Sequence, residues 1–446
     1  ISMTALPAGR LQVHLDFGAG ATPILLGECL WYGKEKVLAF EWSEQALALP
    51  YQLSPLRLPT RKGVVLAKRE PFDGVHGLFS DSIPDGFGRR MMNNAFQEAG
   101  HRLAAVTPIH RLAWVGARGI GALRYKPAIG PTESKALMEI AQLGRHANKA
   151  DVDQFADIPE SVVRAGGSAL GARPKFWASV HKDGKMVVLG DRSAELTDFS
   201  PCLVKFAPAK GDPNEPYFEA TCLQLANSHG VKAAKARLLS HPAGAALAVE
   251  RFDRSPGGGR VFVQSLAALL EDDFRIPGLD YDHLHQVSRT LSVSAETERI
   301  YRQACFNVAL SMKDDHSKNF AFLMGPDGRW ELSPAFDLCP NEGPSGWQTM
   351  SVSNVAEHIG RDALLRFART MGLSDAVAKD GIGQALAAAN AFAPLAIALG
   401  AQKSATKKWA KAFKEIENRL AATMVPVNPS TPARKASRES AKALKK

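Results

Sequence analysis

Asp314 and Asn319 stand with four residues between them in the run Lys313-Asp314-Asp315-His316-Ser317-Lys318-Asn319-Phe320, and a second lone acid follows at the end of Ser333-Pro334-Ala335-Phe336-Asp337. Two acids and an amide in this order suit phosphoryl transfer of the protein-kinase type. One Asp orients or takes the acceptor hydroxyl proton, the Asn holds one magnesium, and the second Asp holds magnesium against the phosphates. The pair D-x-x-x-x-N alone is a weak signal, because two-residue patterns arise by chance. What lies between adds weight. Phe320 to Met324 is a short apolar strand, Gly325-Pro326-Asp327-Gly328 is a turn, and Arg329 to Leu332 alternates like a returning strand. A hairpin here brings Asp337 back to the end that carries Asp314 and Asn319.

The elements that must position these groups follow from the rest of the chain. Its 446 residues can hold two or three domains, and the apolar and charged fractions are ordinary for a globular protein. The five cysteines form no C-x-x-C pair and read as small buried apolar residues in a reducing compartment. No basic region followed by an apolar core opens the chain, so no secretory leader is expected. The most apolar stretch, Leu386 to Leu399, is interrupted by Asn390 and Pro394 and reads as too short for a membrane span. Nine of the ten net positive charges lie in residues 401–446, where 12 Lys/Arg face 3 Asp/Glu. The body is therefore near neutral. The segment Val427 to Lys446 is expected to be a basic disordered tail, read as a solvated end before a nucleic-acid contact.

Residues 11–145 read as an N-terminal α+β unit. Strands are expected over Leu11–Phe17, across Leu25 to Trp42 and at Ile120–Tyr125, with a helix through Arg89, Met92 and Phe96 and another over Lys135–Asp157. Residues 146–425 read as the catalytic core, strand-rich to about 260 and helical after. Ala165 to Lys175 is Gly-rich and precedes a strand pair. Glycines let backbone N–H groups approach phosphate oxygens, with charge from Arg173 and Lys175, although G-K-[ST] is absent. Alone, such a segment is usually a plain turn. Lys205 sits within an apolar strand, where an ammonium needs a partner, and Glu219 on the next helix is the candidate. Val249-Glu250-Arg251-Phe252-Asp253-Arg254 ends a later strand, where backbone groups at Glu250 and Phe252 could meet an adenine edge.

Taken together, the Gly-rich serine segment, the strand lysine, V-E-R-F-D-R, D-x-H-x-K-N-F and the later P-x-F-D resemble the HipA family of bacterial serine/threonine kinases, toxins of toxin–antitoxin pairs. Phe79–Gly86 and Val115–Ala122 extend the resemblance to the N-terminal unit. It implies an α+β, bilobal protein-kinase-like fold. It also implies Asp314 as catalytic base, with Asn319 and Asp337 holding Mg2+. His316, Ser317, Lys318, Asn319, Phe336 and Asp337 would line an ATP site. Leu170, Gly171, Ala172, Arg173, Pro174 and Lys175 would form its phosphate loop, Lys205 would contact the phosphates, and Glu250, Arg251 and Phe252 the adenine. Ser168 matches an autophosphorylated serine whose modification switches the kinase off. The resemblance further implies a HipB-like helix-turn-helix antitoxin, operator DNA reached mainly through that complex, an aminoacyl-tRNA synthetase as substrate, the bacterial cytoplasm and no membrane. Two departures stand out: Asp315, expected to add negative charge beside the base, and Arg173-Pro174, expected to stiffen the phosphate loop. The competing readings are a small-molecule phosphotransferase, disfavoured by Lys313 where H-G-D would place Gly, and a nucleotide-switched DNA-associated corepressor, supported only by the basic C-terminus.

Overall fold

In a computed structural model, residues 9–129, 137–191, 195–242, 244–343 and 346–421 are described. The expected tail at Val427–Lys446 lies outside them. The chain divides into two compact units. The first holds residues up to Pro216 together with Lys235–Asp273 and Phe322–Arg329, and the second holds Tyr217–Ala234, Phe274–Ala321 and Trp330 onward.

Two antiparallel sheets organise the first unit. Strands β1 (Arg10–Leu15), β2 (Ile24–Tyr32), β3 (Val37–Trp42), β4 (Val64–Leu66) and β5 (Leu123–Lys126) form the first, in the order β4-β3-β2-β1-β5. Alternation buries one face: Leu11, Val13 and Leu15 of β1 point into the core while Arg10 and Gln12 face water. Short helices α1 (Glu44–Leu47) and α2 (Gly77–Ser80) lead to α3 (Gly86–Glu98) and α4 (Pro108–Val115). The second sheet contains β6 (Leu137–Glu139), β7 (Lys175–His181), β8 (Met186–Leu189), β9 (Phe199–Phe206), β10 (Ala236–His241) and β11 (Gly244–Glu250), ordered β10-β11-β9-β7-β8-β6. Between β6 and β7 run α5 (Ile140–Asp151) and α6 (Glu160–Gly167). The junction expected at 145/146 therefore falls inside α5, which packs at Gly144 against Phe206 and His241 of the second sheet. The helix with some interruption expected over Lys135–Asp157 is, from Leu137 on, the strand β6 followed by this shorter helix. The pair β12 (Arg254–Ser255) and β13 (Gly259–Arg260), then β14 (Phe262–Ser265) and α8 (Leu266–Leu270), complete the unit.

A buried ion cluster ties the first sheet to the second. Asp253 accepts from Arg251 Nε at 2.9 Å and Nη2 at 2.7 Å, from Arg254 Nη1 at 2.7 Å and from the Gly121 N–H at 2.6 Å. The two guanidiniums also donate to the Gly119 carbonyl, at 3.2 and 3.3 Å, and Arg251 stacks over Trp177 at 4.1 Å. Burial would raise the Asp253 pKa, but Arg251, Arg254 and the Gly121 N–H more than offset it and hold the carboxyl well below the usual range.

Helix α7 (Glu215–Ser228) runs between β9 and β10, and after α8 come α9 (Tyr281–Thr290), α10 (Thr297–Ala309), β15 (Ala321–Met324), β16 (Trp330–Leu332), α11 (Arg361–Thr370), α12 (Asp375–Leu399) and α13 (Lys403–Ala421). Helices dominate the second unit. Tyr301 of α10 donates to the Ala378 carbonyl at 3.1 Å and lies against Gly381, where a Cβ would come within 2.8 Å of its ring. Phe392 packs on Phe218 and Phe413. The apolar stretch Leu386 to Leu399, interrupted in composition by Asn390 and Pro394, is the end of one 25-residue helix with Pro394 inside. Among the described residues α12 alone is long and apolar enough to cross a membrane by length and composition; here its Ala378, Ile382, Ala385 and Phe392 are buried in the protein.

Truncating Asp253 to Ala leaves two buried guanidiniums without their shared carboxylate. The expected cost is about 3–5 kcal/mol, read as a lowered unfolding midpoint in denaturant.

Candidate active site

The loop from Met312 to Phe320 follows α10 directly, and its shape is set by groups around it. Asp314 is exposed, and the Asn319 side-chain amide donates to the Asp314 carbonyl at 2.9 Å, while the Asn319 N–H donates to the His316 carbonyl at 2.8 Å. The backbone bearing the expected base is thus closed onto the expected metal ligand. Lys318 places its ammonium 4.5 Å from the centre of the Phe274 ring, and His316 lies against the same ring at 5.1 Å. His316 Nδ1 is buried with no hydrogen-bond partner. Ser317 is buried, whereas Phe336 is half-buried and Asp337 exposed.

Asp337 adopts φ 55°, a left-handed conformation uncommon for any residue but Gly. Two residues before it the chain is pinned. Ala335 pairs in parallel with Ala233: its N–H donates to the Lys232 carbonyl and its carbonyl accepts from the Ala234 N–H, both at 2.8 Å. The hairpin expected from sequence is present. Gly328 closes its turn onto the Gly325 carbonyl at 3.0 Å, and the Ser333 N–H returns to the Ala321 carbonyl at 2.9 Å. Glu219 lies on α7 in this unit and is buried.

Asp315 is not the charged neighbour of the base that the sequence implied. Its side chain is buried and turned to the segment 348–350. One oxygen accepts from the Thr349 and Met350 N–H groups at 3.1 and 3.2 Å. The other accepts from Tyr281 Oη at 2.7 Å and Gln348 Nε2 at 3.2 Å. Asn307 donates in turn to Tyr281 Oη at 2.8 Å, and the Met312 and Lys313 carbonyls accept from Gln348 Nε2 at 3.1 Å and Thr349 Oγ1 at 2.8 Å. Sequence reasoning missed Tyr281 and Gln348, which lie 34 and 33 residues from Asp315, and Asn307 at the end of α10; none belongs to a short motif.

The remaining expected site residues lie in the first unit. Ser168 caps the C-terminal end of α6 and is buried, its hydroxyl donating to the Arg164 carbonyl at 3.3 Å and its own carbonyl accepting from Trp177 Nε1 at 3.0 Å. Leu170, Gly171 and Ala172 form the turn after it, with Gly171 at φ +95°. Pro174 is buried and passes the chain into β7. Arg173 pairs with Glu215 at 3.0 Å, so its charge is shared with a carboxylate rather than offered whole to a phosphate. Lys175 of β7 and Lys205 of β9 are cross-strand partners, both buried. Two ammoniums in register on one face repel, an arrangement that suits a polyanion. Lys175 Nζ also reaches to 2.4 Å from where a Cβ on Gly171 would sit, so only glycine leaves it that path.

At the end of β11 the Glu250 N–H donates to the Lys235 carbonyl at 2.8 Å and the Arg251 N–H to the Pro201 carbonyl at 2.9 Å. The Arg251 side chain, expected at the nucleotide, is enclosed by Asp253 and Trp177 instead. Phe252 is half-buried. No group of three or more His, Cys, Asp or Glu residues able to hold a metal occurs among the described residues; Asn319 with Asp337 would not register as one, having a single acid.

Burial pushes the Asp315 carboxyl up to about 8, against the pull of its four donors. A folded-state pKa raised above the ordinary carboxylate value means that the native chain holds a proton the unfolded chain has lost. Stability from this group is complete below about pH 4 and fades as pH rises through about 8. Denaturant titrations from pH 4 to 8 are expected to show a falling contribution, at most about 1.4 kcal/mol per pH unit, that Asp315→Asn lacks.

A family model described as the HipA-like C-terminal domain matches residues 167–393, half of the chain, and one described as the HipA N-terminal domain matches residues 24–126. No curated protein sequence matches. Among solved structures, HipA from the Shewanella oneidensis MR-1 complex of HipA, HipB and operator DNA superposes with a TM-score of 0.62 at 17% identity, over 91% of this chain and 95% of that one. The Helicobacter pylori proinflammatory kinase CtkA is a remoter likeness, with a TM-score of 0.34 and 11% identity over 50% of this chain and 88% of its own. The fold, α+β with N-terminal sheets and a helical C-terminal region, is shared with the Shewanella protein. With both matched segments lying on the two sheets and the Asp314–Asp337 region just described, the chain belongs to the HipA family.

Proposed function

We propose that this protein is an ATP- and Mg2+-dependent serine/threonine protein kinase that acts as the toxin of a toxin–antitoxin pair. The observation that carries the reading is the pair of buried lysines, Lys175 and Lys205, in register beneath the Gly-rich turn. A buried cation pair beneath a half-buried glycine turn fits a chain of phosphates better than any neutral ligand. Family membership supports it.

Lys175 and Lys205 bind the phosphates, and the buried Glu219 is the proposed partner of Lys205. The turn Leu170 to Pro174 lies over the phosphates, with Arg173 steered by Glu215. Backbone at Glu250 and Phe252 meets the adenine, while Arg251 supports that segment from behind. His316, Ser317, Lys318 and Phe336 complete the nucleotide's surroundings. Asn319 and Asp337 offer the hard oxygen donors that Mg2+ prefers, and the ion would neutralise charge on the transferred phosphoryl group. Asp314 orients the acceptor hydroxyl and takes its proton as the hydroxyl oxygen bonds to the γ-phosphorus and ADP leaves.

The acceptor is proposed to be an aminoacyl-tRNA synthetase, with Ser168 as a second acceptor within the chain. Ser168 is buried, so its modification requires the Gly-rich turn to leave its place. A HipB-like antitoxin would link the protein to operator DNA, as the Shewanella HipA is found with HipB and DNA. The bacterial cytoplasm is the proposed compartment. The domain division proposed with this reading is an N-terminal subdomain to about residue 145, a catalytic core to 425 and a basic tail.

Mass spectrometry of the intact protein and its peptides after incubation with Mg-ATP tests the reading. The wild type is expected to gain phosphate on Ser168, and Asp314→Asn to be slower by roughly two to four orders of magnitude. Equal phosphate on both proteins, or none on verified unmodified wild type, would remove the kinase assignment. Lys205→Met is expected to weaken ATP binding by tenfold or more, on the order of the 1.5–3 kcal/mol of a charge-assisted contact, by calorimetry.

A further inference from the structure

The Gly-rich turn does not stand by itself: the start of α3 grips it. The Asp85 carboxylate accepts from the Gly171 N–H, and the Phe87 N–H donates to the Gly171 carbonyl at 3.0 Å. Both polar backbone groups of the glycine at the tip of the turn are therefore held by one short segment about 85 residues upstream. Two glycines of that segment allow the approach. A Cβ on Gly86 would come within 2.7 Å of the Ala172 Cα, and one on Gly88 within 2.1 Å of the Ala169 carbonyl oxygen. The Phe87 ring meets Phe176 edge-on at 5.6 Å, just past Lys175, so the grip spans both ends of the turn.

We propose that Asp85 is a positioning residue for the Gly-rich turn, holding it in the closed place where Ser168 is sequestered and Lys175 lies beneath Gly171. A carboxylate on a backbone N–H is the stronger kind of hydrogen bond, and the fixed helix start behind it limits the turn's freedom. Its role is exerted through Gly171. Loss of the carboxylate frees the turn to open and brings the Ser168 hydroxyl to the surface. The kinase assignment above bears only on what happens to Ser168 once exposed.

Hydrogen–deuterium exchange without nucleotide tests the grip independently of catalysis. Amides of residues 168–174 are expected to exchange on the order of tenfold faster in Asp85→Ala than in wild type. Asp85→Asn, which keeps one accepting oxygen, is expected to fall between, and β9 to β11 to stay as protected as before. Unchanged exchange in 168–174, or an equal rise across the whole second sheet, would overturn the positioning role. Should Asp85→Ala fail to fold, Gly88→Ala carries the same test, since its methyl must displace the turn at Ala169. With Mg-ATP added, Ser168 of Asp85→Ala is expected to gain phosphate faster. Faster exchange with no phosphate on any variant would keep the grip and sink the kinase reading instead.

Discussion

The first unit depends on a carboxylate that water does not reach. Asp253 gathers two guanidiniums and a backbone N–H, and through them fixes Gly119 and Gly121 against the second sheet. An unpaired charge at that depth would be prohibitive, so the three ionic groups are tolerated only as a set. The motif V-E-R-F-D-R is thereby split in purpose. Its Glu and Phe stay at the edge of the sheet, while Arg251, Asp253 and Arg254 form the joint between the sheets.

The same device recurs wherever an irregular segment must be held still. Asp81 receives the Ser265 N–H and hydroxyl at 2.7 and 2.8 Å, Asp280 receives the Asn354 N–H at 2.8 Å, Asp85 receives Gly171, and Asp315 receives Thr349 and Met350. Loops lack ladders to satisfy their backbone donors, and a short acidic side chain supplies the missing acceptor without adding length. Among the segments so treated is the Gly-rich turn, held at Gly171, and Asp315 itself belongs to the loop between Asp314 and Asn319. Rigidity is thus concentrated in segments without regular structure, whereas the helices of the second unit are fixed by aromatic contacts such as Phe218, Phe392 and Phe413.

Much of this was legible beforehand, for particular reasons. Strand alternation located β1 to β3, and turn chemistry at Gly325–Gly328 located the hairpin before Asp337, because both depend on neighbours in sequence. The cross-strand meeting of Lys175 and Lys205 was not legible, although both residues had been singled out. Register is settled by pairing across 30 residues, and no local pattern records it. Asp315 was misread because its type implies charge and exposure, whereas its surroundings, Tyr281 and Gln348 above all, impose burial. The apolar run around Pro394 was read as short, whereas the helix that holds it starts as far back as Asp375, in a stretch with more polar residues. Arg251 lay in a correctly located motif, but which way its side chain turns is set by Trp177, a residue of another strand.

The lysine pair carries a thermodynamic corollary. Two buried lysines are cross-strand partners on central strands of one sheet, and in the proposed reading a bound polyphosphate would add charge-assisted contacts to both strands at once. Folding and ligand occupancy are then linked by mass action, each increment of free ligand above its dissociation constant adding to the stability of the native sheet. On the proposed reading, an occupied nucleotide site would protect the second sheet against unfolding.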